Sequence, residues 1–323
     1  MLARQGPSGD ACWTLTDGRA GNVRQAGALA RALGLPARDW LLQARAPWRW
    51  AAPRLLPGSD RAFGASFSEA LGRPPALAIG CGRQGALATR LARARGARAV
   101  QVLDPRLPPA LWDIVVAPRH DGLQGDNVLT LLGSLNPVDD AWLRLARETF
   151  ARLGRLPRPR VAFLLGGPAG HVRYDVATAT RWLVAVDEVV AAEGGSLLLS
   201  ASRRTPVALQ QAIRARYPAD RDADARLVWL DDTDGANPYA GMLAWADRIV
   251  CTPDSVNMVS EACATFVPVF VAEPGSVQGR VRGFFDELLA LGRVRPLDAT
   301  LAPFAVAPLR ETQRIAEALR ARL

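Results

Sequence analysis

Two glycine loops, each preceded by an apolar run, recur along the chain. One is Asp17-Gly18-Arg19-Ala20-Gly21-Asn22; the other, 149 residues later, is Gly166-Gly167-Pro168-Ala169-Gly170-His171. A short apolar run that breaks into glycine and then into a helical pattern is the junction of strand and helix in a parallel α/β layer. A second echo, Ala78-Ile79-Gly80-Cys81-Gly82-Arg83-Gln84 with Leu198-Leu199-Ser200-Ala201-Ser202-Arg203-Arg204, follows at an offset of 120 residues. Two echoes in one order imply duplicated architecture. The unequal offsets assign about 29 extra residues to the first half, placed as an insertion at 43–72.

The same alternation continues from end to end. Ala11–Thr16, Ala76–Gly80, Arg98–Leu103, Asp113–Ala117 and Asn127–Leu132 are strand-like in the first half; Arg160–Leu165, Ser196–Ser200, Arg226–Leu230, Arg248–Cys251 and Val267–Val271 are their counterparts in the second. Nearly continuous apolar strands belong to sheets covered by helices on both faces. The expected fold class is therefore α/β: two Rossmann-like, doubly wound parallel sheets facing a cleft. At 323 residues the length also favours two domains. Gly154-Arg155-Leu156-Pro157-Arg158-Pro159 cannot continue the preceding helix, so the domains are expected at 1–154 and 160–305, with a helix in 306–323 crossing back to the first.

The formal net charge of +9 invites a nucleic-acid reading, but all 40 basic residues are arginine and none is lysine. They are scattered through helices and loops without a basic stripe, so no nucleic-acid partner is expected. The absence of lysine also excludes a P-loop nucleotidase. Cys12, Cys81, Cys251 and Cys263 form no CxxC pair, and with only His120 and His171 no metal cage is expected. No apolar stretch has the ~18 residues of a membrane span and no signal pattern opens the chain, which makes the cytoplasm the default compartment.

Several segments carry possible chemistry. Both glycine loops sit where free helix amides attract anions, although a tight turn alone would also use glycine. Gly80-Cys81-Gly82-Arg83-Gln84-Gly85, with Asp104 19 residues beyond Gly85, matches a dinucleotide fingerprint. That fingerprint usually follows the first strand of its domain, and this one does not. Cys251-Thr252-Pro253-Asp254-Ser255-Val256-Asn257-Met258-Val259-Ser260-Glu261 ends a strand and opens a helix capped by Asp254 or Ser255. The amides of Val256–Met258 offer donors for a diphosphate, and Glu261 lies one to two turns on, within reach of a ribose hydroxyl pair; a capped helix with a surface glutamate is the bland alternative. Arg203 and Arg83 are candidate phosphate clamps, and Arg204 is weaker. Asp17 and His120 are candidate general bases. Asp231-Asp232-Thr233-Asp234 reads as a turn before it reads as a metal site. Trp40 to Leu56, rich in tryptophan, leucine and arginine, is either a membrane-interface segment or a prolyl loop packing its rings on the first domain.

Assembled, these motifs resemble the bacterial members of the mitochondrial-fission "elongated mitochondria" family. The resemblance rests on residues 13–22, Gly82-Arg83-Gln84, Leu165-Gly166-Gly167, Ser202-Arg203-Arg204-Thr205-Pro206, Asn237-Pro238-Tyr239 and Asp254–Ala262. It implies a fold similar to the GT-B glycosyltransferases, whose second domain binds a nucleotide-sugar through a helix N-terminus and a following glutamate. Carried onto this chain, it puts the diphosphate at Ser255, Val256, Asn257 and Met258 and the ribose on Glu261. The plant relative is linked to recruiting a dynamin-type fission protein.

The leading expectation is a metal-independent glycosyltransferase that needs no cofactor and uses a UDP-, ADP- or CMP-type sugar. Its donor site would comprise Gly166, Gly167, Ser202, Arg203, Ser255–Met258 and Glu261. Gly18, Arg19, Asn22, Arg83 and Gln84 would serve the acceptor or transition state, with Asp17 or His120 as base. The basic charge and tryptophans point to a membrane glycolipid acceptor and a peripheral place on the inner membrane. A noncatalytic adaptor and, third, an NAD(P) oxidoreductase are the alternatives.

Overall fold

A computed structural model describes residues 11–218 and 225–323. In chain order the elements are β1 (Cys12–Thr16), α1 (Ala20–Ala32), β2 (Ala37–Leu41), α2 (Trp48–Ala51), α3 (Ala65–Ala70), β3 (Leu77–Cys81), α4 (Gly82–Arg93), β4 (Arg98–Val102), β5 (Ile114–Pro118) and β6 (Val128–Leu131). There follow α5 (Asp140–Thr149), β7 (Arg160–Leu165), α6 (Val176–Ala192), β8 (Ser196–Ala201), α7 (Val207–Arg216), β9 (Arg226–Trp229), α8 (Tyr239–Trp245), β10 (Arg248–Cys251) and α9 (Val256–Cys263). The last are β11 (Val269–Val271), α10 (Val281–Ala290), β12 (Val294–Pro296) and α11 (Glu311–Arg320).

The chain forms two units, residues 1–137 with 311–323 and residues 138–310. Each contains a six-stranded parallel sheet, ordered β2-β1-β3-β4-β5-β6 in unit 1 and β12-β11-β10-β7-β8-β9 in unit 2. These are two Rossmann-like layers. β1, β3, β5, β7, β8 and β10 are buried along their whole length. Each Leu, Ile, Val or Phe so enclosed stabilises its sheet by about 1.5–3 kcal/mol, which is why the apolar runs are visible in the sequence. β2 and β12 lie at sheet edges with much of their surface exposed, and they lack such runs.

The boundary expected at 154 is corrected to 137. Helix α5 and the turn at 151–155 pack on α8 of unit 2. Gly154 lies so close to the Trp245 ring that a β-carbon there would stand 2.6 Å from it. At the other end α11 packs against α1 and β6 of unit 1. Its first residues anchor it: Glu311 accepts the Leu132 amide at 2.7 Å, and the Thr312 hydroxyl accepts the Asn136 amide at 2.9 Å while donating to the Asn136 carbonyl at 2.8 Å.

Strand order also corrects the second sequence echo. In each unit the first strand has its successor on one side and the next central strand on the other, so β3 corresponds to β10 and not to β8. The loop after β3 is therefore equivalent to the one after β10. Residues 43–72 are no insertion, because unit 2 fills the equivalent crossover, from β8 to β10, with α7, β9 and α8. The first echo stands, since β1 and β7 are true counterparts.

Candidate functional site

In an open parallel sheet, ligands bind beyond the carboxyl ends of the strands where the winding reverses. That point lies between β7 and β10 in unit 2. Gly166-Gly167 leaves β7 and Thr252-Pro253-Asp254-Ser255 leaves β10, so the two segments singled out from the sequence meet there. Their contact is steric as well as polar. A β-carbon on Gly166 would stand 2.0 Å from the Asp254 carboxylate, and one on Gly167 would stand 2.0 Å from the Arg204 carbonyl oxygen. Glycine is required here for close packing.

Asp254 is the hub of the site. Its side chain is fully buried and accepts from the Gly167 amide at 3.1 Å, the Thr252 hydroxyl at 2.7 Å, the Tyr174 hydroxyl at 3.1 Å and Arg204 Nη2 at 2.7 Å. Burial beside this carboxylate pushes the Tyr174 phenol well above its usual range. The Gly166 amide is taken by the Thr252 hydroxyl at 2.7 Å. Both glycine amides are thus satisfied from within, and the anion seated over this loop is the protein's own aspartate. Thr205 completes the lock by donating to the Gly166 carbonyl at 2.7 Å, and Ser202 caps the 202–205 turn by accepting the Arg204 amide at 3.2 Å. Arg204, rather than Arg203, turns toward the switch point; Arg203 is exposed.

Helix α9 starts here. Ser255, extended at φ −121°, is its cap and accepts the Met258 amide at a long 3.4 Å. Val256 and Asn257 are partly exposed on the first turn. At the far end the buried Arg293 guanidinium donates to the carbonyls of Cys263 and Thr265 at 3.0 Å and of Ala262 at 3.3 Å, offsetting the negative end of the helix. Burial holds the Arg293 pKa below that of a free arginine. Glu261 is 2 % exposed, and its Oε2 accepts the Tyr239 hydroxyl at 2.6 Å. Asn237 aligns that tyrosine by accepting its amide at 2.9 Å, which gives the Asn237-Pro238-Tyr239 motif a physical role.

The switch point of unit 1 lies between β1 and β3. Asp17 accepts from Asn22 Nδ2 at 2.8 Å and from the Arg19 amide at 3.2 Å, with Arg19 Nε at 3.3 Å from its other oxygen. Gly18 and Arg19 are exposed. Asn22 receives the Cys81 thiol at 3.6 Å and leaves no room for a side chain at Gly82, where a β-carbon would stand 2.5 Å from its Nδ2. Gln84 Oε1 accepts the Ala44 amide at 2.6 Å. Arg83 donates to the carbonyls of Arg49 and Trp50, which ties it to the 43–72 segment. His120 follows β5, and the register Thr16, Cys81, Val102, Val116 sets it three strands from Asp17, about 14 Å at ordinary strand spacing. The sheet does not bring the two candidate bases together.

The dinucleotide fingerprint has a packing explanation. A β-carbon on Gly85 would stand 2.4 Å from the Leu15 carbonyl oxygen, and one on Gly80 2.6 Å from Thr89 and 2.7 Å from the Gly85 carbonyl oxygen. These glycines let α4 lie against β1 and β3. Asp104 accepts the Arg106 amide at 2.7 Å and pairs with its guanidinium at 2.9 Å. In unit 2, Asp231 and Asp234 form a capping box and both pair with Arg214. Among the described residues no cluster of His, Cys, Asp and Glu is arranged to hold a metal, and no helix is long and apolar enough to cross a membrane.

A family model described as mitochondrial fission ELM1 matches residues 20–323. The chain belongs to that family. It is 28 % identical over 279 residues to the mitochondrial fission protein ELM1 of Arabidopsis thaliana, covering 77 % of this chain and 64 % of that protein. It therefore spans less than two thirds of that relative's length. It is 23 % identical over 288 residues to the uncharacterized protein RP120 of Rickettsia prowazekii, covering 76 % and 79 % of the two chains. Among solved structures it is similar to UDP-GlcNAc 2-epimerase from Methanocaldococcus jannaschii, with a TM-score of 0.60 and 13 % identity over 96 % of this chain and 99 % of that one. At this identity the likeness concerns the fold, which is GT-B-like.

Sequence reasoning ranked Arg204 below Arg203 and passed over Asp254 as an acceptor hub, Tyr174 and Arg293. Arg204 and Asp254 lay inside quoted motifs, but their pairing spans 50 residues, and no local spacing encodes it. Arg293 stands in an ordinary helix-to-strand turn, so nothing near it in the chain marks its role at α9.

Proposed function

We propose that unit 2 holds the nucleoside diphosphate of a UDP- or ADP-type sugar donor, and that the ELM1-family chain transfers the sugar without a metal. One observation carries this reading: the Ser255-capped start of α9 and the buried Glu261 lie on one helix beginning at the β7/β10 switch point. The helix amides and dipole favour the diphosphate, and Arg204, half exposed beside Asp254, adds a forked cation for the leaving group. A ribose hydroxyl would replace the Tyr239 hydroxyl on Glu261. The epimerase that shares the fold has also been solved in complex with UDP-GlcNAc and UDP, which supports such a ligand class for this architecture.

In an inverting transfer, Asp17 or His120 takes the proton of the acceptor hydroxyl as that oxygen bonds the anomeric carbon. The anomeric bond to the diphosphate breaks and the diphosphate leaves with the electron pair. Unit 1 is the acceptor side in this reading, with Gly18, Arg19 and Asn22 around Asp17, and the acceptor is an envelope glycolipid met at the inner membrane. The basic charge and the tryptophan-rich 40–56 segment support that last element.

Calorimetry with UDP, ADP, CMP and NAD tests the reading. A nucleoside diphosphate is expected to bind, and Glu261→Ala to weaken it by about 1–3 kcal/mol. Unchanged affinity in the variant removes the ribose assignment. Failure of every nucleotide to bind favours the noncatalytic adaptor instead.

A further inference from the structure

Beside the unit 1 switch point, where the Leu42 amide bonds the Thr16 carbonyl and the Ala44 amide bonds Gln84, exposed apolar surface collects in one stretch. Of the nine large hydrophobic residues exposed among the described residues, Leu41, Trp50, Leu55 and Leu56 fall within residues 41–56. The other five stand singly along the chain. The stretch is not a slack loop. Arg83 donates to the carbonyls of Arg49 and Trp50, Arg90 Nη1 to that of Pro53 at 2.8 Å, and Trp48 Nε1 to that of Pro57 at 3.1 Å. Ser59 Oγ both accepts from the Leu56 amide at 2.8 Å and donates to the Leu56 carbonyl at 2.6 Å. Ala52 and Ala62 are buried beneath it. Trp40, just upstream, packs on Trp13 and Phe67 with ring centroids 5.4 and 5.3 Å away. Part of the tryptophan-rich segment therefore packs inward, while Trp50, 68 % exposed, is held outward.

Charge selects the occupant. Between Leu41 and Pro57 the only ionisable side chains are Arg45, Arg49 and Arg54, and the Arg49 guanidinium carbon lies 5.9 Å from the Trp50 ring centroid. Indole and leucine beside unpaired-sign arginines match the apolar boundary and phosphate layer of an anionic bilayer. Because the backbone beneath is already bonded, little order remains to be imposed on docking. We propose that residues 41–56 form a preformed docking surface for an anionic phospholipid bilayer, with Trp50, Leu55 and Leu56 entering the interfacial layer and Arg49 and Arg54 pairing with lipid phosphate. This deepens the membrane-acceptor reading above and rests on it for its purpose, but it is measured without nucleotide.

The test is co-sedimentation of the full chain with vesicles of equal parts phosphatidylglycerol and phosphatidylcholine, against phosphatidylcholine alone. Binding to the anionic vesicles only, weakening with salt, is expected. W50A/L55A/L56A should lower the partition coefficient about tenfold or more, and R49Q/R54Q about tenfold with a flatter salt dependence. Melting temperature and the UDP titration should be unchanged in both variants, because the altered side chains point into solvent. Absence of wild-type binding overturns the proposal, as does unchanged binding by a triple variant that melts like wild type. Concentration-dependent self-association that the triple variant abolishes, without vesicle binding, would make the surface a protein interface instead. Loss of UDP binding alone would condemn the donor reading and leave this one standing.

Discussion

The two switch points sit at equivalent places in equivalent sheets, yet they are built differently. In unit 1 the carboxylate of Asp17 is bonded by its own loop, through Arg19 and Asn22 within five residues. In unit 2 the carboxylate of Asp254 collects bonds from segments 87, 80 and 50 residues away in sequence. A local turn can change shape at little cost, whereas a buried carboxylate shared by three segments holds them in one arrangement. The difference makes the unit 2 switch point the stiffer of the two.

The largest way to break that contrast is Gly166→Ala. The new methyl would meet the Asp254 carboxylate at 2.0 Å, and a loss of about 3–5 kcal/mol in urea unfolding, or failure to accumulate folded, is expected. The matching change in unit 1, Gly18→Ala, has open space around it and only its φ of +80° to oppose it. About 1 kcal/mol is expected there. Equal costs for the two would erase the distinction.

Next in size, Asp254→Asn puts an amide donor or a neutral acceptor opposite Gly167, Tyr174, Thr252 and Arg204. A loss of about 2–4 kcal/mol in the same assay is expected, against about 1 kcal/mol or less for Asp17→Asn. A cost for Asp17→Asn as large as that for Asp254→Asn would make both carboxylates structural hubs.

A smaller effect concerns the anchor of α11. Burial pushes the Glu311 carboxyl up, but Arg314 and the Leu132 amide outweigh it and hold it below its ordinary range. A depressed carboxylate contributes stability that is full above the unfolded value of about 4.3 and is lost as pH falls through the folded one. Glu311→Gln is therefore expected to cost about 1–2 kcal/mol at neutral pH and to flatten the acid limb of a melting-temperature profile below pH ~4.3. An acid limb identical to wild type would show that Glu311 does not sense pH through its fold contacts.

How much was legible follows from the range of the forces involved. Buried strands, the β1 and β7 glycine loops and the α9 cap are local, and each left a local mark. The β3/β8 echo misled because an apolar run ending in small residues and arginine marks a strand end without saying which strand lies beside it. The fingerprint at 80–85 carries a packing role that its pattern does not reveal, since glycine allows close packing of helix on strand as readily as close approach to a ligand. Residues 40–56 were read in two ways, and the structure divides them: Trp40 packs inward and Trp50 outward.

The sequence by itself determined two parallel α/β layers, their buried strands and the helix that begins at Ser255, because periodicity, capping and burial act over a few residues. Only the tertiary structure decided that unit 2 begins at Val138, which residues anchor the expected return of α11 to unit 1, and that the Asp254 carboxylate accepts the Gly167 amide. Those outcomes depend on contacts between distant segments, which arise from strand order and packing and leave no periodic trace along the chain.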